Sequence, residues 1–367
     1  MQLVSFVFYL MKKLLLTTIV ILFSATSLLA QSIISGQVID ADTKFPLEGA
    51  SVFCQNTTIG AVTNKEGGYK VSLNKGGYEL IISYTGYKSK RQNVEATGNQ
   101  TINFELSKED KSLGEVVIQA SNEVKDGWEK YGSFFKDHFI GATPFAVQCE
   151  LKNPDAVKFY YYKRSDKLKV LATEPLVIDN YALGYTLRYT LDSFVYYYKT
   201  DLSAYRGTCL YQQMDSTTEQ QTVWKANRAK IYEGSRLQFL RSYYDSTLTQ
   251  DGFTIDLPNE RSKVKFSRIN PYDTSYYYFN DTANTAEVFL PAKATIIYNK
   301  KAPEAEYLQQ YKLPSDVKVQ VSYVDLKDGI VIQPNGYFTD QKNWVNQGYW
   351  SWKNLADQLP YDYEPDK

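Results

Sequence analysis

The chain has 367 residues, and 41 Lys and Arg are balanced by 41 Asp and Glu. Zero formal charge gives no global field for nucleic acid or an anionic membrane, and one His with three Cys leaves little room for a His-ligated metal centre or a zinc framework. A composition of 43% hydrophobic and 22% charged residues marks a folded protein long enough for two domains, and 32 Tyr point to sheets with aromatic faces.

Residues 1–30 are nearly all apolar, broken by Lys12 and Lys13. Read from Met11, they form a basic head, an apolar run from Leu14 to Leu29, and a small residue, Ala30, before Gln31. That is the order of a secretory signal peptide, with Met11 as an alternative start to Met1. An uncleaved anchor is the rival, because a start at Met1 lengthens the apolar run. Gln31 in place of Cys argues against a lipid anchor on the new N-terminus. No later stretch approaches the roughly 20 apolar residues of a membrane span. The expected protein is exported, to the periplasm or the outer membrane, with no transmembrane span after cleavage.

Residues 31–107 read as short strands punctuated by turns: 33–39, 50–55, 60–63, 68–73, 78–84, 87–94 and 101–106. Lys65-Glu66-Gly67-Gly68 and Asn74-Lys75-Gly76-Gly77 supply turn glycines between them. Seven short strands in so few residues predict a β-sandwich. Asp40 and Asp42 lack the further ligands of a calcium loop and read as turn carboxylates. Cys54 and Cys149 alternate with apolar neighbours and read as buried strand residues. Export permits disulfides, three Cys allow at most one internal bridge, and a Cys149–Cys209 pairing stays open.

Gly36-Gln37-Val38-Ile39-Asp40, Pro46-Leu47-Glu48-Gly49-Ala50-Ser51-Val52, Thr63-Asn64-Lys65-Glu66-Gly67-Gly68-Tyr69, Tyr78-Glu79-Leu80 and Ser83-Tyr84-Thr85-Gly86-Tyr87 follow in order. This series resembles the carboxypeptidase regulatory-like domain, a transthyretin-like sandwich of exported Bacteroidetes-type proteins. The resemblance implies an interaction or structural module and does not imply peptidase activity.

Residues 108–122 read as a linker with one apolar island, Leu113-Gly114-Glu115-Val116-Val117-Ile118. The island is similar to the connector that follows this domain in TonB-dependent outer-membrane transporters. Too few residues follow it here for a transporter barrel.

Residues 123–367 read as a larger α+β domain. A helix is predicted over 123–139, with Trp128, Tyr131, Phe135, His138 and Phe139 on one face. His138 on that face reads as a packing residue, and one His cannot build a His-x-x-Glu zinc site. No Gly-x-Ser-x-Gly elbow supplies a nucleophile. A second helix is predicted over 217–244, opened by a Ser216–Glu219 capping box, with Lys225, Arg228, Lys230, Arg236 and Arg241 on a solvated face. Tyr185, Leu187, Tyr189 and Leu191 alternate as a half-buried strand. Val317, Val319, Val321 and Tyr323 do likewise, and Asp328-Gly329 predicts a hairpin into 330–333. Segments such as Trp128–Gly132, Phe139–Thr143, Pro175–Tyr185 and Gly348–Tyr363 resemble exported Bacteroidetes-type proteins that pair the same sandwich with such a region. That resemblance implies architecture and location, and no catalytic residue.

Trp344, Tyr349, Trp350 and Trp352 crowd the tail. They read as core, or as a platform that stacks on sugar rings, and they are the candidate binding residues. The fold class is mostly β: an N-terminal seven-stranded transthyretin-like sandwich followed by an α+β domain with two main helices. The expected function is non-enzymatic binding or assembly in the envelope, with a protein or polysaccharide partner and without nucleic acid, cofactor, metal or catalytic residues. The alternatives are a glycan-active hydrolase using Asp and Glu, and an accessory to a TonB-dependent transporter. Oligomeric state is not readable from the sequence.

Overall fold

The computed structural model describes residues 31–109, 122–259, 265–339 and 341–365. The leader over 1–30 and the Leu113–Ile118 island lie outside the described residues.

The first unit is built from β1 (Ser32–Asp40), β2 (Ser51–Cys54), β3 (Gly60–Val62), β4 (Gly68–Leu73), β5 (Gly77–Ser83), β6 (Lys90–Glu95), β7 (Gln100–Thr101) and β8 (Phe104–Leu106). One sheet runs β4-β1-β7 with β8 also on β1, and the other runs β3-β2-β5-β6. Ile34, Val38, Val52, Leu80 and Ile82 fill the space between them. The single strand predicted over 101–106 is two short strands, because the chain is pinned at Ile102-Asn103. The Ile102 N–H donates to the Ser35 carbonyl at 2.8 Å, and Asn103 Oδ1 accepts the Gln37 N–H at 2.9 Å. A Cβ on Gly36 would lie 1.8 Å from the Ile102 carbonyl oxygen, so only glycine admits this crossing. The strand predicted from Tyr87 starts at Lys90, since a turn at Gly86 (φ +83°) swings the Tyr87 hydroxyl onto Asp40 at 2.6 Å. Asp40 also caps its own turn through the Asp42 and Thr43 N–H groups, which holds its carboxyl below the usual carboxylate range.

The second unit holds α1 (Gly127–Phe139), β9 (Cys149–Leu151), β10 (Val157–Tyr162), β11 (Lys167–Ala172), β12 (Leu176–Asn180), β13 (Tyr185–Tyr197) and β14 (Leu202–Gln213). The sheet order is β10-β11-β13-β12-β9, with β14 also on β13. Tyr185, Leu187, Tyr189 and Leu191 are buried, as their alternation predicts. A register shift between Leu191 and Ser193 then changes the parity, and Phe194 and Tyr196 become the inward residues. Helix α1 lays Phe135 and Phe139 on this face, edge-on to Phe194 and Tyr189. It begins at Gly127 rather than 123, because Glu123 and Val124 bridge to β10 instead. His138 stacks on Phe134 with centroids 4.0 Å apart and places Nδ1 2.8 Å from the Phe134 carbonyl.

The third unit follows α2 (Thr218–Tyr232) and comprises α3 (Arg236–Tyr244), α4 (Leu248–Asp251), β15 (Phe253–Pro258), β16 (Phe266–Arg268), β17 (Tyr277–Asn280), β18 (Thr285–Val288), β19 (Ala294–Tyr298), α5 (Ala305–Gln310), β20 (Gln320–Leu326), β21 (Ile330–Ile332), β22 (Trp344–Gly348) and α6 (Tyr349–Trp352). Its sheets run β16-β15-β19-β20-β22 and β17-β18-β21.

Four expectations change here. The helix predicted over 217–244 is broken at Gly234, which takes φ +77°. Ser235 caps α3 by accepting the Gln238 N–H, and Gln238 Oε1 accepts the Gly234 N–H at 2.7 Å. The residue that caps α2 is Thr217, one position later than the Ser216 box. The Asp328-Gly329 turn makes no hairpin. Both edges of β20 are taken by β19 and β22, so the chain crosses to the other sheet, where β21 pairs with β18. Finally, the inward residues of β20 are Gln320, Ser322, Val324 and Leu326, not the Val321–Tyr323 parity. Two of them are polar because they hold α6: Ser322 Oγ accepts the Trp350 N–H, and Gln320 Nε2 donates to the Tyr349 hydroxyl at 3.1 Å.

Candidate binding site at the seam

The sandwich is bolted to the second unit through the loop that follows β2. The Asn56 N–H donates to the Cys209 carbonyl at 2.7 Å, and the Thr57 carbonyl accepts the Tyr211 N–H at 2.9 Å. The loop thereby adds a parallel bridge to β14, the strand that flanks β13. At the same end of the sandwich, Asn335 Nδ2 donates to the Gly77 carbonyl at 2.9 Å and the Tyr337 hydroxyl donates to Asn93 at 3.1 Å.

The C-terminal segment straps the three units together. Tyr349, Trp350 and Trp352 lie in the third unit's core, and Lys353 pairs with Glu304 at 3.0 Å. Leu355 and Ala356 enter the second unit's core, where the Ala356 N–H donates to the Ile140 carbonyl and Asn180 Nδ2 donates to the Ala356 carbonyl. Asp357 accepts the Thr143 hydroxyl at 2.6 Å, and its other oxygen is buried without a partner. Burial pushes this carboxyl up to about 6; Lys353 and the Thr143 hydrogen bond pull against the shift, and Glu304 adds to it. The Tyr361 N–H then reaches the Asn56 carbonyl at 2.8 Å, and Asp362 accepts both the N–H and the hydroxyl of Thr58.

Helix α2 faces the turn between β12 and β13. Trp224 Nε1, Asn227 Nδ2 and Arg228 Nε donate in succession to the carbonyls of Tyr181, Ala182 and Leu183, at 2.7, 2.8 and 2.7 Å. Gly184 (φ +70°) lies under the Trp224 ring, where a Cβ would meet Cδ2 at 2.2 Å. Beside this contact, strap and sandwich enclose a cavity of about 150 Å³ lined by Thr58, Tyr185, Gln213, Lys225, Arg228 and residues of the strap.

The basic face predicted on these helices is therefore only partly solvated. Arg228 and Arg241 are 7% and 8% exposed. Arg241 donates from Nε to the Asn335 carbonyl at 3.1 Å and from Nη2 to the Tyr361 carbonyl at 2.9 Å. A signal existed in the sequence, since Arg228 falls on the i, i+4, i+7 stripe of Trp224 and Ile231.

The four predicted binding aromatics sit elsewhere, and the correction is direct. Trp344, Tyr349, Trp350 and Trp352 are 8%, 1%, 7% and 4% exposed, packed among one another and Phe239. Trp350 Nε1 donates to the Gly234 carbonyl at 2.8 Å and Trp352 Nε1 to Gln310 at 2.9 Å. No ring face is left for a sugar. The cysteines are unpaired. Cys149 on β9 and Cys209 on β14 are separated by β12 and β13, about 14 Å at ordinary strand spacing, beyond a disulfide's reach. Burial pushes the Cys54 and Cys149 thiols up to about 12, so neither is a nucleophile at neutral pH. Cys149 is only half buried, unlike Cys54. Asp325 and Asp328 are exposed beside the β20–β21 turn.

Comparison with known families bears on the sandwich. Residues 34–118 match the family described as CarboxypepD_reg-like domain. The N-terminal sandwich is a carboxypeptidase regulatory-like domain. The match runs on through Leu113–Ile118. This domain is of the regulatory rather than the catalytic kind. A curated relative, the TonB-dependent receptor P39 of Formosa agariphila, is 35% identical over 103 residues, which is 28% of this chain and 10% of that protein. The chain thus spans about a tenth of the length of this relative. Among solved structures, a cohesin–X-dockerin complex from Acetivibrio cellulolyticus is 22% identical, covering 23% of this chain and 62% of that one with a TM-score of 0.20. A DUF3823 family protein from Bacteroides ovatus is 10% identical, covering 51% and 82% with a TM-score of 0.18. Among the described residues no helix is long and apolar enough to cross a membrane.

Proposed function

We propose that this chain is a non-enzymatic, exported binding or assembly protein of the periplasm or outer-membrane surface, in which the regulatory-like sandwich is held rigidly to present its outer face to an envelope partner. The observation that carries this reading is the attachment of one end of the sandwich to all its neighbours, the Asn56–Thr58 loop to β14 and to the Tyr361–Asp362 strap, and Gly77 and Asn93 to Asn335 and Tyr337. A domain anchored at one end by so many hydrogen bonds, with its other end open to solvent, serves as a mount rather than a mobile tether. The proposal divides the chain into a leader over 1–30, a sandwich over 31–107, a linker over 108–122 and a family-specific domain over 123–367. An accessory role beside a TonB-dependent transporter is the second reading, favoured by the relative of that name.

Affinity capture from the native envelope tests the proposal. Phe45 and Val62 of the sandwich are 71% and 68% exposed and serve as reporters. A dominant envelope partner, lost in a Phe45→Asp/Val62→Asp double variant that still folds, is the expected result. Turnover of a glycan or peptide by the purified chain, abolished by a single substitution, would overturn it.

A further inference from the structure

The seam cavity gathers donors that the fold leaves without acceptors. Tyr185 is 2% exposed, yet its hydroxyl has no hydrogen-bond partner among the described residues and the residue lines the cavity. The Arg228 guanidinium lies 4.2 Å over the Tyr185 ring. Its Nε is committed to the Leu183 carbonyl, Nη2 reaches the Gly184 carbonyl only at 3.5 Å, and it makes no ion pair among the described residues. Lys225 stands exposed at the rim. The acidic residues of the cavity are differently placed: both oxygens of Asp362 are occupied by Thr58, and Glu364 leans to within 3.9 Å of Arg241. The cations that line the cavity, Lys225 and Arg228, thus face carboxylates that are engaged with other partners.

We propose that this cavity binds a small monocarboxylate, with Arg228 and the Tyr185 hydroxyl donating to its oxygens and Lys225 closing over it from the rim. A guanidinium and a hydroxyl on two buried residues lining one open cavity suit a planar carboxylate, whose charge strengthens both hydrogen bonds. With the lining charges balanced, a second negative charge on the ligand finds no further cation, which favours a monoanion over a phosphate dianion. The volume is that of cavities that accept benzene, so a ligand of a few carbons fits. Burial keeps the Tyr185 phenol protonated, up to about 12, with Arg228 pulling it down and Asp362 pushing it up, so it remains a donor at neutral pH. The inference goes beyond the envelope role above and stands or falls separately from it.

The test uses the full chain, with propionate as probe and propionamide as its neutral isostere, followed by saturation-transfer NMR. Propionate is expected to bind and propionamide to be at least tenfold weaker. Tyr185→Phe removes a hydroxyl that bonds nothing in the free protein. It should leave the unfolding midpoint unchanged and weaken propionate at least threefold, and Lys225→Gln should weaken it without loss of fold. The proposal is overturned by equal binding of the two probes, by binding of neither, by tighter binding of inorganic phosphate, or by a Tyr185→Phe variant that binds propionate as the parent does.

Discussion

Asp362 accepts the backbone N–H of Thr58 at 2.9 Å and the Thr58 hydroxyl as well, across 304 residues of sequence. One carboxylate thus joins the far end of the chain to the sandwich at its beginning. Removing it strands a backbone donor and a hydroxyl at a half-buried seam. Asp362→Ala is expected to cost about 2 kcal/mol, from two charge-assisted hydrogen bonds. Urea unfolding measures the cost, and cleavage within the 55–60 loop by proteinase K, a protease of broad specificity, should accelerate.

Arg241 holds the strap from the other side by donating to the Asn335 and Tyr361 carbonyls. Arg241→Ala leaves both acceptors without their donor and opens a space beside Tyr232. A loss of about 3 kcal/mol is expected, read as a shifted urea midpoint. Arg241→Lys should recover only part, because an ammonium cannot span both carbonyls as the planar fork does.

Asp357 sets a pH dependence of defined sign. Its carboxyl is raised by burial from 3.8 to about 6, so the folded chain binds this proton more tightly than the unfolded chain does. Stability from this group therefore falls as pH rises from about 4 to 6 and is lowest above 6, a difference on the order of 3 kcal/mol. The parent should gain urea resistance between pH 7.5 and pH 5 relative to Asp357→Asn, which lacks this titration. Parallel stability–pH curves for the two would contradict the assignment.

Gly234 breaks the long helical pattern at φ +77°, and a Cβ there would meet Gln320 Oε1 at 2.5 Å and Tyr298 Cδ1 at 2.7 Å. Gly234→Ala should destabilise by at least about 2 kcal/mol from strain and clash together. Thermal unfolding checks it.

The tail aromatics separate by their indole N–H groups. Trp350 Nε1 bonds the Gly234 carbonyl, whereas Trp344 Nε1 is buried without a partner. Trp350→Phe should therefore cost about 1 kcal/mol more than Trp344→Phe, since only the first breaks a hydrogen bond. Neither substitution should change binding of an added polysaccharide.

Much of the sandwich was legible because its strands are short, alternate, and end at glycine turns such as Gly67-Gly68 and Gly76-Gly77. The register of β13 was legible up to Leu191 and lost there, because a bulge reverses parity without a composition signal. On β20 the alternation of Val321 and Tyr323 points outward, since Gln320 and Ser322 are needed inside to hold α6. The Gly234-Ser235 pair carries a helix-stop and helix-start signal that the continuous apolar stripe on either side of it masks. The cavity was not legible. Thr58, Tyr185, Arg228 and Asp362 come from four separate segments, and only tertiary docking brings them together.

The central claim is that sandwich, sheet and strap open as one body. Native-state hydrogen exchange at the Asn56 and Tyr211 amides tests it most directly, because both bond across the seam. The account predicts that these amides exchange with the free energy of core amides in β5 and β13, and that Asp362→Ala lowers Asn56 protection first. Rapid exchange at both amides while β5 and β13 stay protected would show a sandwich that undocks on its own, and would contradict the account.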